Sequence, residues 1–215
     1  MADLSLTLAG ETLTLLPERA VFHPAKNTIF IADVHLGKVE AFRVHAIPLP
    51  DQTTSDDLSR LSRVLQRTQA SRLVILGDLI HSRSGQTDRV IAAFSAWRSR
   101  HTAIELVLVS GNHDRFAAIP EDWRLRTLTA PVISTPFVWA HHPTLSDEGF
   151  TLAGHLHPAY RLSGKGRQQL KLPCFWHQPG MLVLPAFGSF IDSAYIIPSP
   201  DDRVYVVAGD DVLLV

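Results

Sequence analysis

The chain is predicted to be an α/β (α+β) protein in which two packed β-sheets are flanked by helices. Three observations predict it. Buried-strand runs alternate with amphipathic helices through the first half, short strand-like runs between turns fill the second, and no repeat, linker or low-complexity stretch separates the halves. With 215 residues the expectation is one domain spanning 1–215.

Residues 4–16 alternate apolar and polar about Ala9-Gly10-Glu11, the period-two pattern of a hairpin with one wet face. The run 28–32 (TIFIA) ends abruptly at Asp33, as a buried strand does where its carboxyl end delivers functional residues, and a polar loop follows. Leu58, Leu61 and Leu65 recur at helical spacing, which predicts a helix over 53–66 with Thr54 and Asp57 at its start. A second strand is read at 72–76, a second helix at 87–100 with Val90, Ile91, Phe94 and Trp97 inward, and a third strand at 104–109. Beyond these, strands are expected at 137–140, 149–153, 159–162, 169–172, 181–184, 194–197 and 204–207.

With 20 basic and 21 acidic residues the formal charge is −1, so the total gives no general hold on polyanions, and an anionic substrate must be attracted locally. The single cysteine, Cys174, excludes a disulfide framework and an all-cysteine zinc site; its apolar neighbours suggest a buried, inert thiol. The opening segment has neither a basic start nor a long apolar run. Hence neither an export signal nor a membrane span is expected, and a cytoplasmic setting fits.

Polar residues recur immediately after the strands: Asp33 and His35 in ADVH, Asp78 in LGD, Asn112, His113 and Asp114 in GNHD, His141 in AHHP, and His155 and His157 in GHLH. Ligand sites of open α/β sheets lie outside the carboxyl ends of strands, so these groups should converge. In Asp33-x-His35 and His155-x-His157, alternate residues point the same way and can grip one cation. Gly37, Gly77, Gly111 and Gly154 flank the clusters, where the chain must turn sharply or be approached closely. Carboxylates, one amide oxygen and several imidazoles form the ligand mixture of borderline divalent metals. Each piece alone is weak, since buried histidines commonly pair in a core and aspartates commonly cap turns. Five pieces in one geometric niche are explained together by one binuclear site.

In this order, D-x-H, G-D, G-N-H-D, a histidine strand end and G-H-x-H resemble the calcineurin-like metallophosphoesterases over 32–158. The resemblance implies a four-layer αββα sandwich of two mixed sheets and a centre of two divalent ions, Mn2+ foremost, with Fe, Zn, Co or Ni as alternatives. Carried over by position, Asp33, His35 and His157 would hold one metal and Asn112, His141 and His155 the other, with Asp78 bridging; His141 is preferred to His142 by the same resemblance. A narrower similarity runs through 47–50 (IPLP), 77–82 (GDLIHS), 172–176 (LPCFW) and 184–188 (LPAFG) to the ligase-associated metallophosphoesterases of bacterial DNA repair. It implies a DNA endonuclease or phosphoesterase, with a DNA ligase, helicase or exonuclease as partners. His81 stands where the wider superfamily carries an acidic residue or asparagine, and Ile191-Asp192 replaces the Thr-Gly of the narrower group.

Two cations less the charges of Asp33 and Asp78 leave about +2, enough to draw a phosphate to a near-neutral protein. A metal-bridging hydroxide would then attack phosphorus in line. His113 would be the catalytic acid for the leaving group, with Asp114 beside it fixing tautomer and orientation. Arg43, Arg83 and Arg115 are candidate phosphate clamps, although solvated surface arginines explain them equally well, and His45 and His81 are candidate rim acids or phosphate donors, although such histidines are more often local hydrogen-bond partners. Phe175 and Trp176 are read as core. The rival activities are hydrolysis of nucleotides or other small phosphoesters, and a metal-bearing interaction module that has lost catalysis.

Overall fold

The computed structural model describes residues 2–44, 53–116, 118–164 and 168–215. His45 and the IPLP motif lie outside them. The first sheet has the order β1-β2-β3-β4-β5-β6-β7. β1 (Leu4–Leu8) and β2 (Glu11–Leu16) form the expected hairpin, with Gly10 at φ 83° in its turn, and β3 (Ala20–His23) continues the antiparallel meander. From β4 (Thr28–Ile31) the sheet becomes parallel through β5 (Arg72–Ile75), β6 (Glu105–Val109) and β7 (Leu125–Leu128). The crossovers carry α1 (Lys38–Val44), α2 (Thr53–Thr68) and α3 (Asp88–Arg100). Thr87 caps α3 by accepting the Val90 N–H, which places the start one residue beyond the expected one.

The second sheet contains β8 (Val132–Ser134), β9 (Phe137–Trp139), β10 (Phe150–Ala153), β11 (Pro158–Ser163), β12 (Gln169–Gln178), β13 (Met181–Val183) and β14 (Ala194–Tyr195). Its path is β14-β11-β12-β13-β10-β9-β8, and β15 (Arg203–Ala208) pairs with β12 and with β16 (Asp211–Leu214). β9, β10 and β13 run parallel while the remainder is mainly antiparallel, so both sheets are mixed.

Alternation along the strands splits the apolar residues into two cores. Ile29, Ile31, Leu73 and Ile75 face α2 and α3 through Leu58, Leu61, Val64, Phe94 and Trp97. Phe30, Ala32, Val74 and Leu76 face the second sheet through Phe137, Leu152, Phe175 and Leu182. Each large side chain so buried contributes about 1.5–3 kcal/mol. Phe175 is core, as expected, and Trp176 donates its indole N–H to Asp202 Oδ2. Cys174 is buried, which pushes its thiol up to about 12.

The expected pair of mixed sheets flanked by helices is therefore present. Both long helices pack on the first sheet, and among the described residues the far face of the second sheet carries no helix. α1 replaces the expected polar loop: it is only seven residues long, too short for a periodic signal, and is anchored by Val39 and Ala41. No helix among the described residues is long and apolar enough to cross a membrane.

Candidate metal centre

The parallel strands β4, β5 and β6 and the strands β9 and β10 of the second sheet all end at one edge. The two sheets meet there, where Ala32 bridges to Ala186. Five of the expected ligands leave this edge in left-handed backbone: Asp33 (φ 55°), His35 (48°), Asp78 (53°), His155 (71°) and His157 (46°). Each such non-glycine residue costs roughly 1–3 kcal/mol unless its surroundings fix it. Hydrogen bonds do fix it: His35 N–H donates to the Asp78 carbonyl (2.9 Å), Asp33 N–H to Gly77 O (3.1 Å) and His155 N–H to Asp33 Oδ2 (2.8 Å). Two glycines are required by close approach. A Cβ on Gly77 would lie 2.2 Å from His141 Nδ1, and one on Gly111 would lie 2.2 Å from Asp78 Oδ1.

Asp33, His35 and His157 form one group of side chains. Asp33 Oδ1 is 3.3 Å from His157 Nε2, and these two atoms and His35 Nε2 are all buried without a well-directed hydrogen bond. His157 Nδ1 faces the Asp192 carbonyl at 3.0 Å; a carbonyl only accepts, so Nδ1 carries the proton and the neutral ring's lone pair on Nε2 points at the carboxylate. Asp192 thus serves this ring through its backbone carbonyl.

Asp78 joins this group to a second. Its Oδ2 lies 3.7 Å from His35 Nε2 and 3.4 Å from His141 Nε2, while Oδ1 accepts the His113 N–H at 3.0 Å. His141 Nε2 is 2.9 Å from Asn112 Oδ1 and 3.1 Å from His155 Nδ1. Of the adjacent pair, His141 is wholly buried in this cluster and His142 is exposed, its ring 4.1 Å from that of His155.

Charge follows the same pattern. Asp78 is held down to about 2: burial opposes its charge, but His141, the His113 N–H and His35 more than offset that. His141 and His157 are displaced upward; burial opposes the imidazolium, and Asp78 and Asp33 respectively outweigh it. The carboxylates hold positive charge against these rings, as a proton or as a cation. His35 is instead pushed down to about 3 and His155 also downward, both chiefly by burial. Neutral imidazole is the form that ligates a metal. Oxygen and nitrogen donors in this mixture, with lone pairs facing one another, fit borderline divalent ions.

The remaining expected residues divide. His113 stands at the rim, its side chain 38% exposed, with Nε2 3.9 Å from Asp78 Oδ2. Its Nδ1 faces the carbonyl of His81 at 2.6 Å, not Asp114. Asp114 accepts the backbone N–H groups of Asp78 (2.8 Å), Gly111 (2.9 Å) and Ile80 (3.2 Å), which corrects its expected role as the orienter of His113. The reason is burial: at 7% exposure a carboxylate needs donors, and the turn holding G-D and G-N-H-D supplies them. His81 belongs to the site more closely than its sequence position suggests. Its Nδ1 is 3.3 Å from His35 Nδ1 and its ring stacks on that of His113, while burial pushes it down to about 4. Arg43 lies half-exposed in the last turn of α1, and Arg83 and Arg115 are exposed in single 3-10 turns.

Lys38, at the start of α1, is the cation that the sequence reading misses. It is lowered by burial, which Asp192 partly offsets, and its charge is felt by His81 and His157. Leu-Gly-Lys after D-x-H was the available signal, yet one lysine opening an unforeseen helix carried little weight.

Residues 26–178 match the family described as Calcineurin-like phosphoesterase. Among solved structures the chain is similar to Pseudomonas putida nuclease MPE, at 32% identity and a TM-score of 0.86 over 99% of this chain and 100% of that one. Similarity to Yfce, a phosphoesterase from E. coli, is remote: 13% identity and a TM-score of 0.40 over 87% of this chain and 97% of that one, which carries no weight here. No curated protein matches the chain. With the family match spanning most of its length and a full-length structural likeness beside it, the chain belongs to the calcineurin-like phosphoesterase family.

Proposed function

We propose that this protein is a phosphodiesterase that uses two divalent cations, Mn2+ foremost, and that its substrate is DNA. The carrying observation is the convergence of Asp33 Oδ1, His35 Nε2 and His157 Nε2, buried and unsatisfied, beside a second donor group that shares Asp78. Asp33, His35, His157 and Asp78 would hold one ion, and Asp78, Asn112, His141 and His155 the other. When bound, the pair supplies Lewis-acid polarisation of the phosphoryl oxygens and activation of water.

The chain's own residues do the rest. Two buried carboxylates among many imidazoles keep the loaded centre cationic, so a phosphate is drawn to it although the protein is near neutral overall. As an imidazolium, His113 donates Nδ1–H to the His81 carbonyl, which turns Nε2–H toward the site. That proton can pass to a leaving alkoxide. Lys38, whose charge reaches His81 and His157, is a candidate to pair with a non-reacting phosphate oxygen. Two observations support DNA: full-length similarity to a nuclease, and the motif resemblance to the ligase-associated group, which also supports a cytoplasmic repair role.

The test compares protein with Mn2+ against protein with EDTA, on bis(p-nitrophenyl) phosphate, single-stranded DNA, supercoiled plasmid and cyclic nucleotides. Metal-dependent cleavage of the first two or three is expected. Turnover of cyclic nucleotides alone would reject DNA as substrate, and no metal-dependent turnover would reject the phosphodiesterase reading.

A further inference from the structure

We propose that the face of the β11–β12 hairpin carrying Arg161 and Lys171, with β14 beside it, binds single-stranded DNA next to the metal centre, which extends the phosphodiesterase reading and rests on it. β11 leaves directly from His157, and Ala194 N–H, at the start of β14, donates to the His157 carbonyl at 3.0 Å. Alternation sends Tyr160, Leu172 and Trp176 to the face turned away from the first sheet, where they pack with Cys174, Val204 and Val206. Arg161, Lys171 and Tyr195 are thereby exposed on the opposite face, Tyr195 at 46%.

The register sets two like charges side by side: Arg161 is the direct cross-strand partner of Lys171. Opposed like charges destabilise an antiparallel pair, so some other group must make this arrangement useful. Among the described residues no carboxylate pairs with either; both cations lie instead over the ring of Tyr195, the guanidinium carbon at 4.4 Å and the ammonium at 4.9 Å from its centroid. From residue 149 to residue 191 the sequence has no Asp or Glu, and it adds Lys165 and Arg167 to these two cations. A chain whose formal charge is −1 has gathered positive charge on the one hairpin that springs from a metal ligand.

Cations beside an exposed aromatic ring are the elements of single-strand binding: phosphates meet the charges and an unpaired base stacks on the ring. The spacing suits the substrate. Tyr195 is in register with Ala159, two residues beyond His157 and about 7 Å along the strand, and Arg161 is about 13 Å along it. A strand with its scissile phosphate at the metals would carry its next nucleotides over this face. Duplex DNA, whose bases are already stacked, offers nothing to Tyr195.

The experiment uses the metal-loaded protein and a fluorescent phosphorothioate oligothymidylate read by anisotropy across a salt series, with turnover of oligothymidylate and of bis(p-nitrophenyl) phosphate in parallel. Arg161→Ala with Lys171→Ala should weaken binding about tenfold, raise KM on the oligonucleotide, and make the log–log salt slope shallower by about 1.4, the loss of two phosphate contacts. Tyr195→Ala should weaken binding at least about fivefold and Tyr195→Trp should restore it. Hydrolysis of bis(p-nitrophenyl) phosphate should be unchanged in all three, because none of these side chains belongs to the metal centre. Unchanged affinity and slope in the double variant would overturn the proposal while leaving the phosphodiesterase reading intact. Failure of the wild-type protein on bis(p-nitrophenyl) phosphate would reject that earlier reading separately, since the binding readout does not depend on cleavage.

Discussion

His141 Nδ1 lies 3.0 Å from the carbonyl oxygen of Leu76, and on the far side of the same ring Nε2 lies 2.9 Å from Asn112 Oδ1. The carbonyl can only accept, so the Nδ1 position is protonated and the neutral ring turns a lone pair toward Asn112, Asp78 and His155. His142, next in sequence, is exposed; its ring approaches those of His141 and His155 from the solvent side, and the buried His141 is the one set against Asp78 and Asn112. His141→Ala should therefore lower metal affinity by more than the roughly 10–100-fold that loss of even an outer partner costs. His142→Ala should leave metal content near normal. Metal analysis after dialysis distinguishes the pair, and equal losses would refute the assignment.

Asp78 Oδ2 lies within 4 Å of His35 in one group and of His141 in the other. Asp78→Asn keeps the size but removes the charge, and its amide would place a donor or a weaker acceptor where the two proposed ions would share a carboxylate. Metal occupancy and turnover should fall together, with near-complete loss of activity. Normal turnover with two ions bound would contradict the shared role.

For His113 the prediction concerns leaving groups. Its Nδ1 is fixed by the His81 carbonyl and its Nε2 faces the rim, so His113→Ala should retain the metals. Cleavage of esters with poor, alkoxide leaving groups should slow by about 10²–10⁴-fold, and nitrophenolate release should slow far less. Similar losses on both would remove it as the acid.

Asp114 makes the opposite case. Three backbone N–H groups converge on a carboxylate that burial pushes upward, and no substrate-facing atom is involved. Asp114→Ala would strand those donors, costing about 3 kcal/mol or more, and would loosen the loops that carry Asp78 and Asn112. Thermal melting should show the loss, while the pH profile of any residual activity stays that of the native protein.

The alternation of buried runs and amphipathic helices made β4–α2–β5–α3–β6 legible, and with it the edge where D-x-H, G-D and G-N-H-D converge. Three features were out of reach. Left-handed backbone at Asp33, His35 and Asp78 is a property of the turn, and aspartate or histidine in sequence does not announce it. The carbonyls of Leu76, His81 and Asp192, which set the imidazole tautomers, have no side-chain signature at all. β3, β7, β8 and β16 are short or edge strands, and two of them, β7 and β8, bury too little for a clean period-two pattern. Asp114 was misread for a related reason: adjacency in G-N-H-D suggested a side-chain pair, whereas the tight turn aims the carboxylate back at the chain.

The histidines also predict a pH dependence that differs with and without metal. In EDTA, His35 is held near 3 against an ordinary 6.5, so between those values the unfolded chain binds the proton and the folded one does not. Stability must fall as pH drops through that window, by about 2 kcal/mol at about pH 5 from His35 alone, and His81 adds in the same direction. Below 3.8, Asp78, held near 2, continues the trend. His141 and His157 work the other way: raised in the folded state, they contribute stability that is present below 6.5 and lost as pH rises through their folded values. The metal-free protein should therefore melt highest near pH 6–7 and less so on either side. With excess Mn2+ the alkaline decline should reverse, because a cation takes the place of those two protons and binds more tightly as they leave. Melting curves across pH in EDTA and in Mn2+ provide the check; parallel profiles in the two would show that these rings do not exchange a proton for a metal.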